Sequence, residues 1–201
     1  MVDDRREDAE LIAASLTDPA EFELVFDRHY DAIHRYLARR GGRELAEDLT
    51  QSVFLAGFEG RRRFRPSEAA SAAPWLFGIA TNLLRRHART EVRRLRAYAR
   101  LPGREFAALD TSALADRLDA AAAAPRAFEI VARLPEGERN ALLLVAWADL
   151  TYEQVAVALN VPVGTVRSRI HRARGKLREL LGPNGQDRDM NAHAAEPAND
   201  G

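Results

Sequence analysis

Apolar positions recur at helical spacing along most of the chain. Phe22, Phe26, His29, Ile33 and Tyr36/Leu37 define one stripe, which Gly41-Gly42 ends. Leu45, Leu49, Ser52/Val53 and Ala56 predict the buried stripe of a second helix, closed by Gly57 and Gly60. Residues 61–73 read as a loop. Pro74 suits the opening of a long helix that runs toward Leu101, where Pro102-Gly103 breaks it. Helical periodicity resumes from Arg126, and Leu134-Pro135 starts a further helix. No segment alternates as a strand does, and there is no internal repeat. The pattern therefore predicts an all-α fold of two small helical domains joined by a flexible linker. The expected boundaries are a tail over 1–20, a first domain over 21–100, an Ala-rich linker over 101–125, a second domain over 126–182 and a polar, disordered tail over 183–201.

The strongest local signals lie in the second domain. In LTYEQVAVAL, Thr151 is placed as an N-cap with Gln154 three residues on, which is a capping box; Leu150 and Val155 fit the accompanying hydrophobic staple. Asn160-Val161 is a short turn, and Pro162 suits the first position of the next helix. Helix, tight turn, helix is the helix-turn-helix layout. In the second of these helices Val166, Ile170, Ala173 and Leu177 share the packed face. Gly164, Thr165, Ser168, His171 and Arg172 lie opposite, flanked by Arg167, Arg169, Arg174 and Lys176. Small and polar groups for base edges, with cations on both sides for phosphates, are what a recognition helix requires.

Charge placement supports this and adds a second site. The chain is formally neutral, with 30 basic and 30 acidic residues. Residues 61–100 nevertheless carry 11 basic and 2 acidic side chains, and residues 161–182 carry 6 and 1. Two basic islands in an otherwise acidic chain predict a polyanion met at two places. Arginine supplies 29 of the 30 basic residues, Lys176 being the exception, as a GC-rich coding bias would also produce, so arginine abundance alone carries no argument. The absence of cysteine excludes disulfides and thiolate metal sites. The charged N-terminus has no apolar signal core and no run reaches spanning length, so the expectation is a cytoplasmic protein with no membrane insertion. His29, His34, His87, His171 and His193 have no metal-ligand spacing, and no nucleophile triad or phosphate loop is present. The expectation is no catalytic residue, no metal and no cofactor.

Two stripes in the first domain mix residue types in ways a core does not need. Asp48, Gln51, Phe54, Leu55 and Phe58 combine acid, amide and aromatic groups, as a partner surface does, although Phe54 and Phe58 also fit a three-helix core. Trp75, Gly78, Asn82, Arg85, Arg86 and Arg89 line a second stripe. An aromatic, a planar amide and guanidiniums suit unstacked DNA, since bases stack on rings and phosphates pair with arginine. Trp75 fits equally well as a core anchor at the helix start. Arg61, Arg62, Arg63 and Arg65 stand beside it to hold phosphates.

The segment LPEGERNALLLVAWADLTYEQVAVALNVPVGTVRSRIHRARGKLREL resembles the C-terminal promoter-binding domain of extracytoplasmic-function (ECF) sigma factors of bacterial RNA polymerase, most specifically in GTVRSRIHRAR. FELVFDRHYDAIHRYL, AEDLTQSVFLAGFE and PWLFGIATNLLRRHAR follow the order and spacing of the N-terminal domain of that family. The resemblance covers residues 21–100 and 126–181, with departures at the loop FRPSEAASAAP and at Ala88. It implies a sigma factor that binds core RNA polymerase through the stripe of Asp48, Gln51 and Phe54. It further implies melting of the promoter −10 element along the Trp75–Arg89 stripe, recognition of the −35 element by the helix-turn-helix, and control by an anti-sigma factor. The competing expectation is a free-standing helix-turn-helix regulator with an N-terminal sensor domain, for which the first basic island has no use.

Overall fold

Phe22 meets Phe58 with ring centroids 5.5 Å apart, and Phe26 meets Phe54 at 4.7 Å. These pairs run in opposite order along helices α2 (Phe22–Gly41) and α3 (Arg43–Gly60), which therefore form an antiparallel hairpin. A single residue joins them. Gly42 has φ 82°, a conformation that side-chain-bearing residues avoid, and it both ends α2 and starts α3. The hairpin carries a short helix before it, α1 (Asp8–Ala14), and a long one after it, α4 (Ala73–Tyr98). The structure, a computed structural model, describes residues 6–66, 71–98 and 130–181. The expected linker at 101–125 and tail at 183–201 lie outside the described residues.

Helix α3 turns a different face inward from the one its leucines predict. Ala46, Thr50, Val53, Phe54 and Gly57 are buried, while Leu45, Leu49 and Ala56 are only half-covered and Ser52 is exposed. The large ring of Phe54 gains more from burial than the smaller apolar groups on the expected stripe. Gly57 then lets Phe22 and Leu76 come close to the α3 backbone. Helix α1 lies within residues 1–20, expected to be a tail. Its Leu11 and Ile12 are fully covered, and a capping box of Glu7 and Glu10 starts it. Residues 61–63, expected as loop, form a 3-10 turn.

The C-terminal unit begins, among the described residues, with helical residues 130–133, followed by α5 (Glu136–Ala148), α6 (Tyr152–Leu159) and α7 (Val163–Leu181). The capping box closes as the sequence requires: Gln154 N donates to Thr151 Oγ1 at 3.2 Å and Thr151 N to Gln154 Oε1 at 2.9 Å. Leu150 and Val155 are both buried. Asn160 ends α6 in the left-handed region at φ 51°. Pro162 stands one residue before α7 rather than at its first position, and its carbonyl accepts from Thr165 N and Val166 N. Val166, Ile170 and Ala173 are buried as expected.

The two units pack on each other. Helix α6 crosses α4 at Gly78, so closely that a Cβ there would stand 2.6 Å from the Ala158 carbonyl oxygen. Beside this crossing Arg40 donates to Asn140 Oδ1 at 2.8 Å and to the Tyr36 hydroxyl at 2.7 Å. The Tyr36 hydroxyl also lies 3.1 Å from Thr81 Oγ1, and the Arg39 guanidinium lies 5.8 Å from the centre of the Trp147 ring. The buried apolar core is continuous through both units, from Leu11 to Ile170.

Candidate nucleic-acid interface

The start of α4 is fixed by a residue distant in sequence. Ala72 N donates to Asp8 Oδ2 at 2.8 Å, across 64 residues, and Ser71 Oγ approaches the same oxygen at 3.4 Å. Asp8 also accepts from Arg28 at 3.0 Å and is 2.6 Å from His29 Nε2. Burial alone would raise this carboxyl. The hydrogen bonds from His29 and the Ala72 amide outweigh burial and hold Asp8 well below the usual carboxylate range. A buried, charged Asp8 thus caps the helix that carries the first candidate stripe, as an N-cap side chain would do locally.

Along that stripe the residues divide. Trp75 is half-buried, its ring 5.1 Å from Phe64 and close to Gly57 and Gly60, so it anchors the helix start. Gly78 lies beneath α6. Asn82, Arg86 and Arg89 are exposed. Arg85 is half-exposed and donates from Nε to Glu136 on α5. Of the neighbouring arginines, Arg62 and Arg63 face solvent. Arg65 is exposed with a bond to its neighbour's carbonyl, Phe64 O, at 3.3 Å. Arg61 does not reach outward as expected. Its guanidinium lies 3.8 Å from the centre of the Phe58 ring and donates to Phe58 O at 2.5 Å, because the 3-10 turn folds it back over the end of α3.

On α3 the outward stripe is Asp48, Gln51 and Leu55, with Leu55 59% exposed. Phe54 does not belong to it. It is buried against Phe26 and Tyr30, so the core alternative holds for this ring. Phe58 is half-buried on Phe22 and beneath Arg61.

On α7, Gly164, Arg167, Ser168 and His171 are exposed and Thr165 is half-covered. Arg167 stands 4.0 Å from Glu153 on α6, a contact too loose and too exposed to restrain it. The other flank is held internally. Arg172 Nε donates to Glu138 Oε1 at 3.0 Å, and Lys176 Nζ to Glu138 Oε2 at 2.8 Å. Arg169 lies over Gly137, where a Cβ would come within 3.2 Å of its guanidinium. On the flank of Arg167, Arg174 is half-buried, with Nε covered and without a hydrogen-bond partner among the described residues. Arg174 was expected among the flanking cations that reach phosphates, and Arg172 on the face that meets base edges. The fold gives each less freedom than that: Glu138 of α5 holds Arg172, and Arg174 is half-buried beside the packed face of α7.

This arrangement has relatives. The family described as Sigma-70 region 2 matches residues 25–94, and Sigma-70 region 4 matches residues 127–177. The RNA polymerase sigma factor CarQ of Myxococcus xanthus is 35% identical over 163 residues, covering 80% of this chain and 89% of that protein. The ECF RNA polymerase sigma factor SigM of Mycobacterium tuberculosis is 34% identical over 180 residues, covering 88% and 86%. The chain belongs to the ECF sigma factor family. Its fold is also that of CnrH solved in complex with the cytosolic domain of CnrY, with a TM-score of 0.59, 24% identity, and coverage of 87% of this chain and 96% of that one. The sigma factor is thus a promoter-recognising initiation factor, with its region 2 built on α2–α4 and its region 4 on α5–α7. No helix among the described residues is long and apolar enough to cross a membrane.

Three residues that shape these surfaces carry no local sequence signal: Asp8, Glu136 and Glu138. Each pairs with a group more than thirty residues away, so no local periodicity announces it. The only available signal is compositional. Glu136 and Glu138 flank Gly137 in a segment that lies between the two basic islands.

Proposed function

We propose that this sigma factor divides promoter recognition between α4 and α7. The exposed groups Asn82, Arg86 and Arg89 of α4, with Arg62, Arg63 and Arg65 beside them, meet the melted −10 element. Ser168, His171, Arg167 and Arg172 of α7 meet the −35 duplex. The outward face of α3, Asp48, Gln51 and Leu55, meets core polymerase, where an exposed leucine between polar groups provides an anchor. The protein acts in the cytoplasm, contributes no catalytic residue, and leaves bond formation to polymerase. An anti-sigma factor is the expected regulator, since a sigma factor of similar fold, RpoE, was solved in complex with the anti-sigma factor NepR from Bartonella quintana.

The observation that carries this reading is the placement of two separate basic helical faces, one beginning at an aromatic anchor and one on the second helix of a capped helix-turn-helix. In the packed form α6 covers Gly78 and Glu136 engages Arg85. Full use of the α4 stripe therefore requires the C-terminal unit to move off it. Once apart, two moderate DNA contacts on one chain act together through effective concentration.

Run-off transcription with purified core polymerase on genomic promoter fragments tests the reading. Transcripts should appear only when the chain is added. A chain that binds duplex DNA unaided and as a dimer, and starts no transcript with core polymerase, would be a free-standing regulator instead.

A further inference from the structure

Among the described residues, Glu138 is the most enclosed acidic side chain packed against α7. It is 7% exposed, sits in the first turn of α5, and meets two cations of α7 that are 34 and 38 residues away. The two contacts are chemically different. Lys176 donates from Nζ, the seat of its charge, to Oε2, so Glu138 holds that charge in an ion pair. Arg172 gives only Nε to Oε1, and its two Nη groups have no partner among the described residues. A guanidinium held by Nε has its plane and reach fixed while its outer fork remains available, and that fork is the part that pairs with the two acceptors of a guanine edge. Arg172 lies beside Ser168 and His171, on the open side of α7.

We propose that Glu138 is a positioning residue for −35 readout: it aims the Nη fork of Arg172 at a base edge and keeps Lys176 from serving as an unspecific phosphate cation. The proposal rests on the sigma-factor reading of α7. Glu138 touches no DNA; it acts through Arg172 and Lys176. The gain is discrimination, since an unaimed arginine and a free lysine would bind any phosphate. The hydrogen bond from Lys176 holds the Glu138 carboxyl below its usual range, and that from Arg172 adds to this against the opposing effect of burial, so the group stays charged throughout the neutral range.

The test uses holoenzyme assembled from the full chain and core polymerase. Duplexes are selected by the wild type from a randomised pool, and single-base variants of the best one are then compared. E138Q, which keeps the shape and removes the charge, should lose about tenfold in discrimination at one −35 base pair. Its plot of log affinity against log salt should steepen by about one unit, as Lys176 becomes available to phosphate. In an R172K background E138Q should change the salt slope but no base preference, because the fork it aims is gone. Uniform tightening on all sequences with preference intact would mean that Glu138 only sequesters charge, and would overturn the proposal. Unchanged preference and slope would overturn it as well. If E138Q loses helicity, R172K alone decides, because that side chain is exposed: it must lose the same base preference, and retention overturns the proposal. Failure of wild-type holoenzyme to select any duplex would refute the sigma-factor reading of α7, a result distinct from all of these.

Discussion

Helices α4 and α7 are the two basic faces of the molecule, and they are held in place by opposite means. The backbone course of α7 is set locally. A capping box starts α6, Asn160 ends it, and a turn of a few residues delivers α7 with its packed face already determined by the apolar spacing. The geometry of α4 comes from distant parts of the chain. Its first turn is capped by Asp8 and its aromatic anchor rests on Phe64, two supports within the N-terminal unit that remain when α6 moves off Gly78. The difference fits the two substrates proposed for these helices. Duplex DNA presents a fixed groove that a locally specified helix can read. A melted strand has no fixed shape, so its receptor must be held rigid by the surrounding fold.

The largest expected effect tests the distant support of α4. Asp8→Ala should destabilise the N-terminal unit by about 3 kcal/mol, because it removes a buried charge with several hydrogen bonds. Amide exchange should accelerate at residues 71–76 while α7 keeps its protection. Equal acceleration in both helices would erase the contrast. The pH dependence follows from the lowered carboxyl. Asp8 binds its proton less readily folded than unfolded, so its contribution is present above about pH 4 and is lost as pH falls through the folded value. Asp8→Asn should remove that part of the acid sensitivity, read from denaturation midpoints at several pH values.

Next comes the contact between the units. Gly78→Ala places a methyl group against the Ala158 carbonyl, and overpacking of this kind costs roughly 1–3 kcal/mol. Since alanine favours helix, α4 itself should not suffer. The expected result is a larger radius of gyration in solution scattering with unchanged helicity. An unchanged radius would mean that α6 shifts to accommodate the methyl group and the units stay packed. A smaller effect, about 1 kcal/mol, is expected for Thr151→Ala, which opens the capping box of α6. Here thermal denaturation should show a loss confined to the C-terminal unit. Smallest is Arg86→Ala, on an exposed side chain. It should leave stability unchanged within about 0.5 kcal/mol and flatten the salt dependence of promoter binding by about one unit.

The same division explains what could be read from sequence. The capping box, the staple, the packed face of α7 and the breaks at Gly41-Gly42 and Pro162 are encoded within a few residues, and periodicity or turn chemistry exposes them. Phe54 defeats that approach. Its neighbours Asp48, Gln51 and Leu55 do face outward, but the ring turns inward to meet Phe26 and Tyr30, and only the packing of α2 against α3 decides between the two. Arg61 looks like its neighbours Arg62 and Arg63 in sequence, yet a 3-10 turn folds it onto Phe58. Glu138 and Asp8 are invisible for the same reason: their partners are tens of residues away.

The central claim is that α4 serves melted DNA while α7 serves duplex DNA, and permanganate footprinting tests it most directly. The variant Asn82→Ala/Arg86→Ala leaves α7 untouched and changes only exposed groups of α4. Holoenzyme carrying it should bind the upstream duplex as the wild type does, yet show fewer reactive, unpaired thymines in the −10 region. A premelted template should restore part of its transcription, because the cost of unstacking has been met beforehand. Normal permanganate reactivity on an intact promoter, from a variant that is folded and polymerase-bound, would contradict the account.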